Sequence, residues 1–382
     1  MYQEPVQTGA GAGWLPDPAR AVAGGPEDLG TFEAATGGPW PRPSHLQGDA
    51  RFMAMALREA LGGVGLASPN PPVGCVLVQA GEVIGAGAHT RTGGPHAEIV
   101  ALTEARRQGR DPAGATAYVT LEPCCHQGRT PPCADALVAA GIRRVVAGAI
   151  DPNPRVDGGG LRRLRAAGVE VGRRVLAEAC EAFHAPFFKR VRTGLPWVTF
   201  LGHPAPSLAG PDPVFRRVQA AFRCAADAVA TDLPTLRIHA LRLGDPWVDP
   251  PAHRRLRRVI LDPEGHLEAA HPIWEHGPCL RAVAGLRAPL PGVGDLPCGG
   301  RSGDLDLGAL LGALADQGVG RILFEGGEAL GRSLLRRGLL DEVVAFRSAG
   351  APAGPQGCGL PCEGTHRHRF AVEGGAWEIY RI

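Results

Sequence analysis

The chain has 382 residues, 40 basic and 38 acidic, with a formal net charge of +2. That length holds two ordinary domains, each with its own core. The near balance of charge leaves no footprint for nucleic acid or an anionic membrane, and no apolar run reaches the ~18 residues of a membrane-spanning helix.

The 10 cysteines are too dilute for a stapled disulfide scaffold, so a reducing, cytoplasmic compartment is expected. Lys189 is the single lysine. With 55 Gly and 36 Pro, the arginine excess reads as the bias of a GC-rich coding sequence, not as an anion-binding surface.

Residues 1–47 are rich in Gly, Pro and Ala and hold no sustained period; a disordered or loosely attached extension is expected there. From Asp49 the apolar residues Phe52, Met53, Ala56, Leu57, Ala60 and Leu61 recur at helical spacing, with Asp49 as the expected cap. A turn, Ser68-Pro69-Asn70-Pro71-Pro72, leads into a β-hairpin of Gly74–Gln79 and Glu82–Gly87, in which Cys75 reads as a small buried hydrophobe. A helix then runs from His96 to about Gln108, followed by a strand at Ala117–Leu121 and a loop from Cys124. Pro131-Pro132 opens a second helix that reaches Ala140, and Arg144–Ile150 is the next strand. Gly158–Phe188 adds helix, strand and helix. From Pro196 a second unit begins, with short apolar strands at Trp197–Leu201, Ala225–Ala230, Arg258–Leu261, Arg321–Phe324 and Glu342–Phe346. Helical stretches at Val214–Ala226, Leu307–Gln317 and Ala329–Arg337 separate several of them. Strands alternating with helices argue an α/β architecture for both units.

The chemistry concentrates between Gly93 and Cys133. His96 and Glu98 are two apart (98 − 96), and Cys124 and Cys133 nine apart (133 − 124). One imidazole and two thiolates are three protein ligands for Zn²⁺, which leaves a fourth position for water, whereas a structural site normally uses four protein ligands. Glu98 stands close enough to a ligand to serve as the proton-shuttling catalytic residue. His-x-Glu followed by Pro-Cys and a further Cys is the signature of zinc nucleobase deaminases. The usual close is Cys-x-x-Cys, and here the interval is longer. Cys125, beside a ligand, receives no role.

Glu122-Pro123-Cys124, His126, Gly128-Arg129-Thr130-Pro131-Pro132-Cys133, the stretch Ser68–Val78 and Asp151–Pro154 together resemble the deaminase half of the RibD family of bifunctional riboflavin-biosynthesis enzymes. The resemblance is dense from about Asp49 to Phe188 and patchy beyond. It implies a cytidine-deaminase-like zinc domain with its linker over 48–190, followed by a dihydrofolate-reductase-like α/β domain over 196–382. It also implies two reactions. One is hydrolytic deamination of 2,5-diamino-6-ribosylamino-4(3H)-pyrimidinone 5′-phosphate; the other is NADPH-dependent reduction of the product's ribosyl group. The expected cofactors are Zn²⁺ and NADPH. The expected partner is the phosphorylated ribosylaminopyrimidine, with no nucleic acid and no membrane, and a homo-oligomer is left open.

By the same resemblance Asn70 and His89 would contact pyrimidine and ribose, and His126 and Arg129 would line the substrate side of the loop between the thiolates, Arg129 on the phosphate. Arg223 and Glu325 would bind the reductase substrate, and Thr235, Gly326 and Gly327 would contact NADPH. Taken singly, each has a bland alternative as a turn, cap or solvated residue.

The second unit departs from the family pattern. Ser207-Leu208-Ala209-Gly210 lacks an expected acid, a lysine is missing near Leu201, and a Trp-bearing loop is absent. Asp232-Leu233-Pro234-Thr235 replaces a Gly-x-Gly-Thr turn, and His239-Ala240-Leu241 replaces an Asp-Asp-Pro. A weak or inactive reductase, or a scaffold, is the expectation, with remodelled phosphate contacts through Arg237, His239 or Arg242 as the counter-reading. A deaminase of another base is the competing reading of the first unit.

Overall fold

The computed structural model describes residues 33–126, 131–202, 213–239, 253–254, 256–268, 271, 273, 279–285, 290, 293–300, 304–348, 360, 364–372 and 375–382. Arg129, Ser207–Gly210, Ala240, Leu241, Arg242, the side chain of His239 and residues 1–32 lie outside the described residues.

The strand Gly74–Gln79 (β1) is apolar on both faces because a helix covers each. Val76 and Val78 join the cluster built on Met53, Leu57 and Ala60 of Gly48–Leu61 (α1). Cys75 and Leu77 join the opposite cluster with Ala101 and Ala105 of Ala97–Arg107 (α2). This is the period of two that a strand imposes. Glu82–Ala88 (β2) completes the hairpin. The remaining elements are Thr116–Leu121 (β3), Cys133–Ala139 (α3), Arg144–Ala149 (β4), Gly159–Ala166 (α4) and Glu170–Val171 (β5). The sheet order is β2-β1-β3-β4-β5, antiparallel in its first two pairings and parallel after them.

A long helix, Ala177–Thr193 (α5), leads to the second sheet. That unit contains Trp197–Gly202 (β6), Pro213–Ala225 (α6), Ala228–Asp232 (β7), Leu233–His239 (α7), Arg257–Leu261 (β8), Cys279–Val283 (β9) and Val293–Pro297 (β10). It continues through Leu307–Asp316 (α8), Arg321–Gly326 (β11), Glu328–Arg336 (α9), Glu342–Ser348 (β12), Thr365–Val372 (β13) and Gly375–Arg381 (β14). Among the described residues the order is β10-β9-β8-β7-β11-β6-β12-β14-β13, parallel from β10 to β12, with β14 and β13 antiparallel at the end. Both units are therefore α/β, as expected. No helix among the described residues is long and apolar enough to cross a membrane.

Four differences from the sequence expectation have physical causes. Asp49 does not cap α1: its carboxylate accepts two bonds from Arg144 (2.9 and 2.7 Å) and one from the Tyr118 hydroxyl (2.7 Å). A bidentate guanidinium outweighs one backbone N–H, and it holds Asp49 below the usual carboxylate range. The strands β9 and β10 escape notice because Arg281 sits mid-strand, 2 % exposed, its charge met by Asp295 at 2.8 Å. The strand β13 reads as polar because it is the sheet edge, where charge guards against further pairing. Within the stretch expected to be loose, residues 33–40 are packed, whereas none of 41–47 is buried. Ala34, Ala35 and Trp40 are buried, the Trp40 ring meets Phe183 edge-on at 5.3 Å, and Trp40 Nε1 donates to Thr36 at 2.8 Å.

Those contacts belong to a core cluster that runs without a break from Met53 and Val76 through Phe183 and Phe188 of α5 to Phe222, Val229 and Leu323 of the second unit. Truncating a buried Trp costs about 3–5 kcal/mol. Trp40→Ala is expected to lower the melting temperature by roughly 6 °C or more. A melting curve that superimposes on wild type would return residues 33–40 to a loose attachment.

Candidate metal centre and strand-end cleft

His96 is the residue before α2, in extended backbone, and its side chain makes no capping bond. The ring is free to turn toward the loop after β3. There its Nδ1 lies 3.6 Å from Cys124 Sγ and 3.2 Å from Cys133 Sγ. All three donor atoms fall within 4.8 Å of one another. A tetrahedral zinc with Zn–S ~2.3 Å and Zn–N ~2.0 Å sets nitrogen and sulfur about 3.5 Å apart, so the donor set fits that ion. Cys133 opens α3, one residue later than Pro131-Pro132 suggested, and its N–H donates to Cys124 Sγ at 3.2 Å. Hydrogen bonding with Cys133 and with His96 pulls the Cys124 thiol down, while the same Cys124 contact and burial push Cys133 up.

Glu98 follows His96 onto the first turn of α2 and is 3 % exposed. Burial raises its proton affinity above the ordinary glutamate value, and its carboxyl meets the Cys133 thiol. The site therefore combines two sulfurs and one imidazole with a buried carboxyl beside Cys133.

The loop carrying Cys124 is held from behind. Glu122 is buried and accepts N–H bonds from Gly158 (2.9 Å) and Leu161 (3.2 Å) at the start of α4. Asp151, marked in the sequence only as part of a resemblance, is also buried beside this loop. Desolvation pushes it up to about 6, and the charges of Glu122 and Cys124 act in the same direction. Sequence spacing places Glu122 beside Cys124 but not Asp151, which the parallel crossover from β3 to β4 brings to it.

Asn70 Nδ2 donates to His89 Nε2 at 3.1 Å, and His89 Nδ1 donates to Pro95 O at 2.9 Å. Those bonds suit a neutral ring, and burial lowers the His89 proton affinity accordingly. The His89 and His96 rings meet edge-on at 5.2 Å, so both Asn70 and His89 stand at the metal centre. His126 is exposed on the same loop as Cys124.

In the second unit the structure brings Arg223 and Glu325 onto each other. The guanidinium grips the carboxylate at 2.5 and 2.7 Å, Gln219 adds a third bond at 2.8 Å, and the Glu325 side chain is 0 % exposed. Glu325 thus serves first as the anchor of Arg223. Thr235 Oγ1 accepts the Gly327 N–H at 3.2 Å, and Gly326 packs against Leu330. Asp232 and Pro234, which replace two glycines of the family turn, build a helix start: Asp232 Oδ1 accepts the Thr235 N–H at 2.8 Å and Pro234 sits in the first turn of α7. Both line a cavity of about 450 Å³ together with Leu261, Leu330 and Ser333. The cavity lies outside the carboxyl ends of β7 and β8, where open α/β sheets bind ligands.

Residues 46–149 match the family described as the cytidine and deoxycytidylate deaminase zinc-binding region, and residues 207–349 match the RibD C-terminal domain. The chain is similar to riboflavin biosynthesis protein RibD of Escherichia coli, 37% identical over 324 residues that cover 78% of this chain and 87% of that protein. A diaminohydroxyphosphoribosylamino-pyrimidine deaminase of Buchnera aphidicola is 45% identical over 148 residues, 39% of this chain and 99% of that one. Among solved structures, a Thermotoga maritima diaminohydroxyphosphoribosylaminopyrimidine deaminase/5-amino-6-(5-phosphoribosylamino)uracil reductase superimposes with a TM-score of 0.75 at 29% identity, covering 87% of this chain and 98% of that one.

The close seat of α4 behind Cys124 gives a test. A Cβ at Gly160 would stand 1.9 Å from Pro123 O, a backbone atom next to a ligand residue. Gly160→Ala is expected to shift Cys124 and weaken zinc binding about 10- to 100-fold, the usual cost of disturbing the support of a metal ligand. Competition against a chelator measures it, and unchanged affinity would separate α4 from the metal centre.

Proposed function

The chain belongs to the RibD family of bifunctional riboflavin-biosynthesis enzymes, and from that premise we propose a division of labour along it. Residues 48–190 deaminate diaminohydroxyphosphoribosylaminopyrimidine hydrolytically, in its ribosyl-phosphate form. Residues 196–382 reduce the ribosyl group of the product, 5-amino-6-(5-phosphoribosylamino)uracil, with NADPH. The observation that carries the first half is the nitrogen and two sulfurs within 4.8 Å, with buried Glu98 against them. The cavity at the strand ends supports the second half.

His96, Cys124 and Cys133 would hold the zinc. Bound there, zinc supplies the Lewis acidity that makes water a nucleophile near neutral pH. Glu98 takes the proton that water gives up as its oxygen adds to the ring carbon bearing the amine. The raised proton affinity of its carboxyl suits it to keep that proton and hand it to the amine nitrogen. The carbon–nitrogen bond then breaks, ammonia leaves, and the ring carbon keeps the oxygen. His89 fixes the Asn70 amide through their hydrogen bond, and both orient the pyrimidine and ribose. His126 and Arg129 receive the phosphate end. In the second unit Arg223, clamped by Glu325, faces the reductase substrate, while Thr235, Gly326 and Gly327 shape the cofactor's side.

Glu98→Gln keeps the shape and removes the proton acceptor. Deamination is expected to fall by at least ~10²–10⁴, with zinc content at the wild-type level. Ammonia release should not depend on NADPH, whereas NADPH oxidation should require the deaminated product. A Gln variant that deaminates at full rate would sink the assignment of Glu98. A purified chain that deaminates but never oxidises NADPH would sink the reductase half alone.

A further inference from the structure

We propose that Arg237 binds the 2′-phosphate of the nicotinamide cofactor in this chain and thereby selects NADPH over NADH. The proposal rests on the reading of the strand-end cavity as the cofactor site.

The argument is one of uncommitted charge. Four carboxylates line the cavity, and each is engaged. Asp232 accepts the Thr235 N–H. Asp262, 0 % exposed, accepts the His266 and Leu267 N–H groups at 2.8 and 2.9 Å. Glu264 pairs with His266 at 3.2 Å, and Asp304 pairs with Arg337 at 3.1 Å. Arg337 also donates to Ser333 Oγ at 2.6 Å. Of the lining cations, Arg237 alone carries no ion pair or hydrogen bond among the described residues.

Around Pro234 the backbone offers an anion little, and the nearest unpaired N–H groups belong to the first turn of α9, where Ala329 and Leu330 line the cavity. Pro234 has no N–H. The Thr235 N–H is spent on Asp232 and the Gly327 N–H on Thr235 Oγ1. A phosphate that enters beside α7, away from the start of α9, is therefore met by a side chain. Arg237 lies three residues beyond Pro234 (237 − 234) on α7, so the two share a helix face, and both line the cavity. A planar guanidinium takes a phosphate through two parallel hydrogen bonds. A monoester dianion entering a cavity walled by four carboxylates needs one cation that no acid has claimed. A cofactor without that phosphate has no such need.

The test uses the full chain, with NADPH and NADH titrated separately by quenching of tryptophan fluorescence and 2′,5′-ADP added as a competitor. Wild type is expected to prefer NADPH. Arg237→Ala should weaken NADPH and 2′,5′-ADP about 10-fold or more, the scale of one charge-assisted contact, and leave NADH within about twofold. Arg237→Lys should recover part of the loss, and Arg237→Glu should deepen it. Zinc content and melting temperature report that each variant is folded. Unchanged NADPH affinity in Arg237→Ala overturns the proposal, and so does an equal loss for NADH, which would mean contact with the bridging diphosphate. Wild-type protein that binds neither nucleotide overturns the cofactor reading of the cavity together with it.

Discussion

A thiolate can sit beside an imidazole and a buried carboxyl only if something meets its charge. At Cys124 the start of α3 does so. The Cys133 N–H points at Cys124 Sγ, and the Ala134 N–H donates to Cys124 O at 3.2 Å. Helix starts present unpaired N–H groups and partial positive charge. One helix therefore supplies a ligand and, with its spare donors, holds the other ligand's residue. The start of α4 does the corresponding work on the far side through Glu122. This convergence follows from the parallel pairing of β3 and β4, which forces a crossover helix between them and leaves both loops at the same end of the sheet.

One carboxylate ties segments of the two units together. Asp227 Oδ2 accepts from Ser68 Oγ at 2.7 Å and from the Gly320 and Arg321 N–H groups at 2.8 Å. Arg254 reaches from the second unit to Gly65 O at 2.7 Å and also holds Arg223 O at 3.0 Å. At Gly65 the chains approach so closely that a Cβ would lie 2.2 Å from Cys224 O. The turn that delivers Asn70 is thus moored to the helix that delivers Arg223. Lys189 of α5 adds an ion pair with Asp341 at 2.6 Å, at 18 and 16 % exposure, where water screens it less than at the open surface.

The convergence of His96, Cys124 and Cys133, the nearness of Glu98 and the order of elements in the first unit were legible because they rest on short spacings and on helical or alternating periods. The hairpin and the helices at Gly48–Leu61 and Ala97–Arg107 stand within a residue or two of the sequence reading. Illegible features depend on pairs far apart in the chain. Arg281 with Asp295 looks like polar interruption until the strands align, and Asp49 looks like a cap until Arg144 arrives from 95 residues away. Asp232-Leu233-Pro234 looked like damage to a glycine turn because a sequence shows what is lost from a pattern, not the helix start that the new residues build. The packing of Trp40 was hidden for another reason: residues 33–40 have no period because they fill a gap between elements and form no face of their own.

The apolar cluster that passes from Met53 through Phe183 to Leu323 bears on how far the halves are independent. Each sheet uses it as one of its two coverings, so neither half owns it. A cut in the linker would leave both products with a bare apolar face, a surface that favours aggregation. A deaminase that stands alone must carry water-compatible side chains where this chain places Phe183, Phe188 and Trp40. Domain swapping between relatives would accordingly succeed or fail on the match of that buried seam, whatever the quality of either active site.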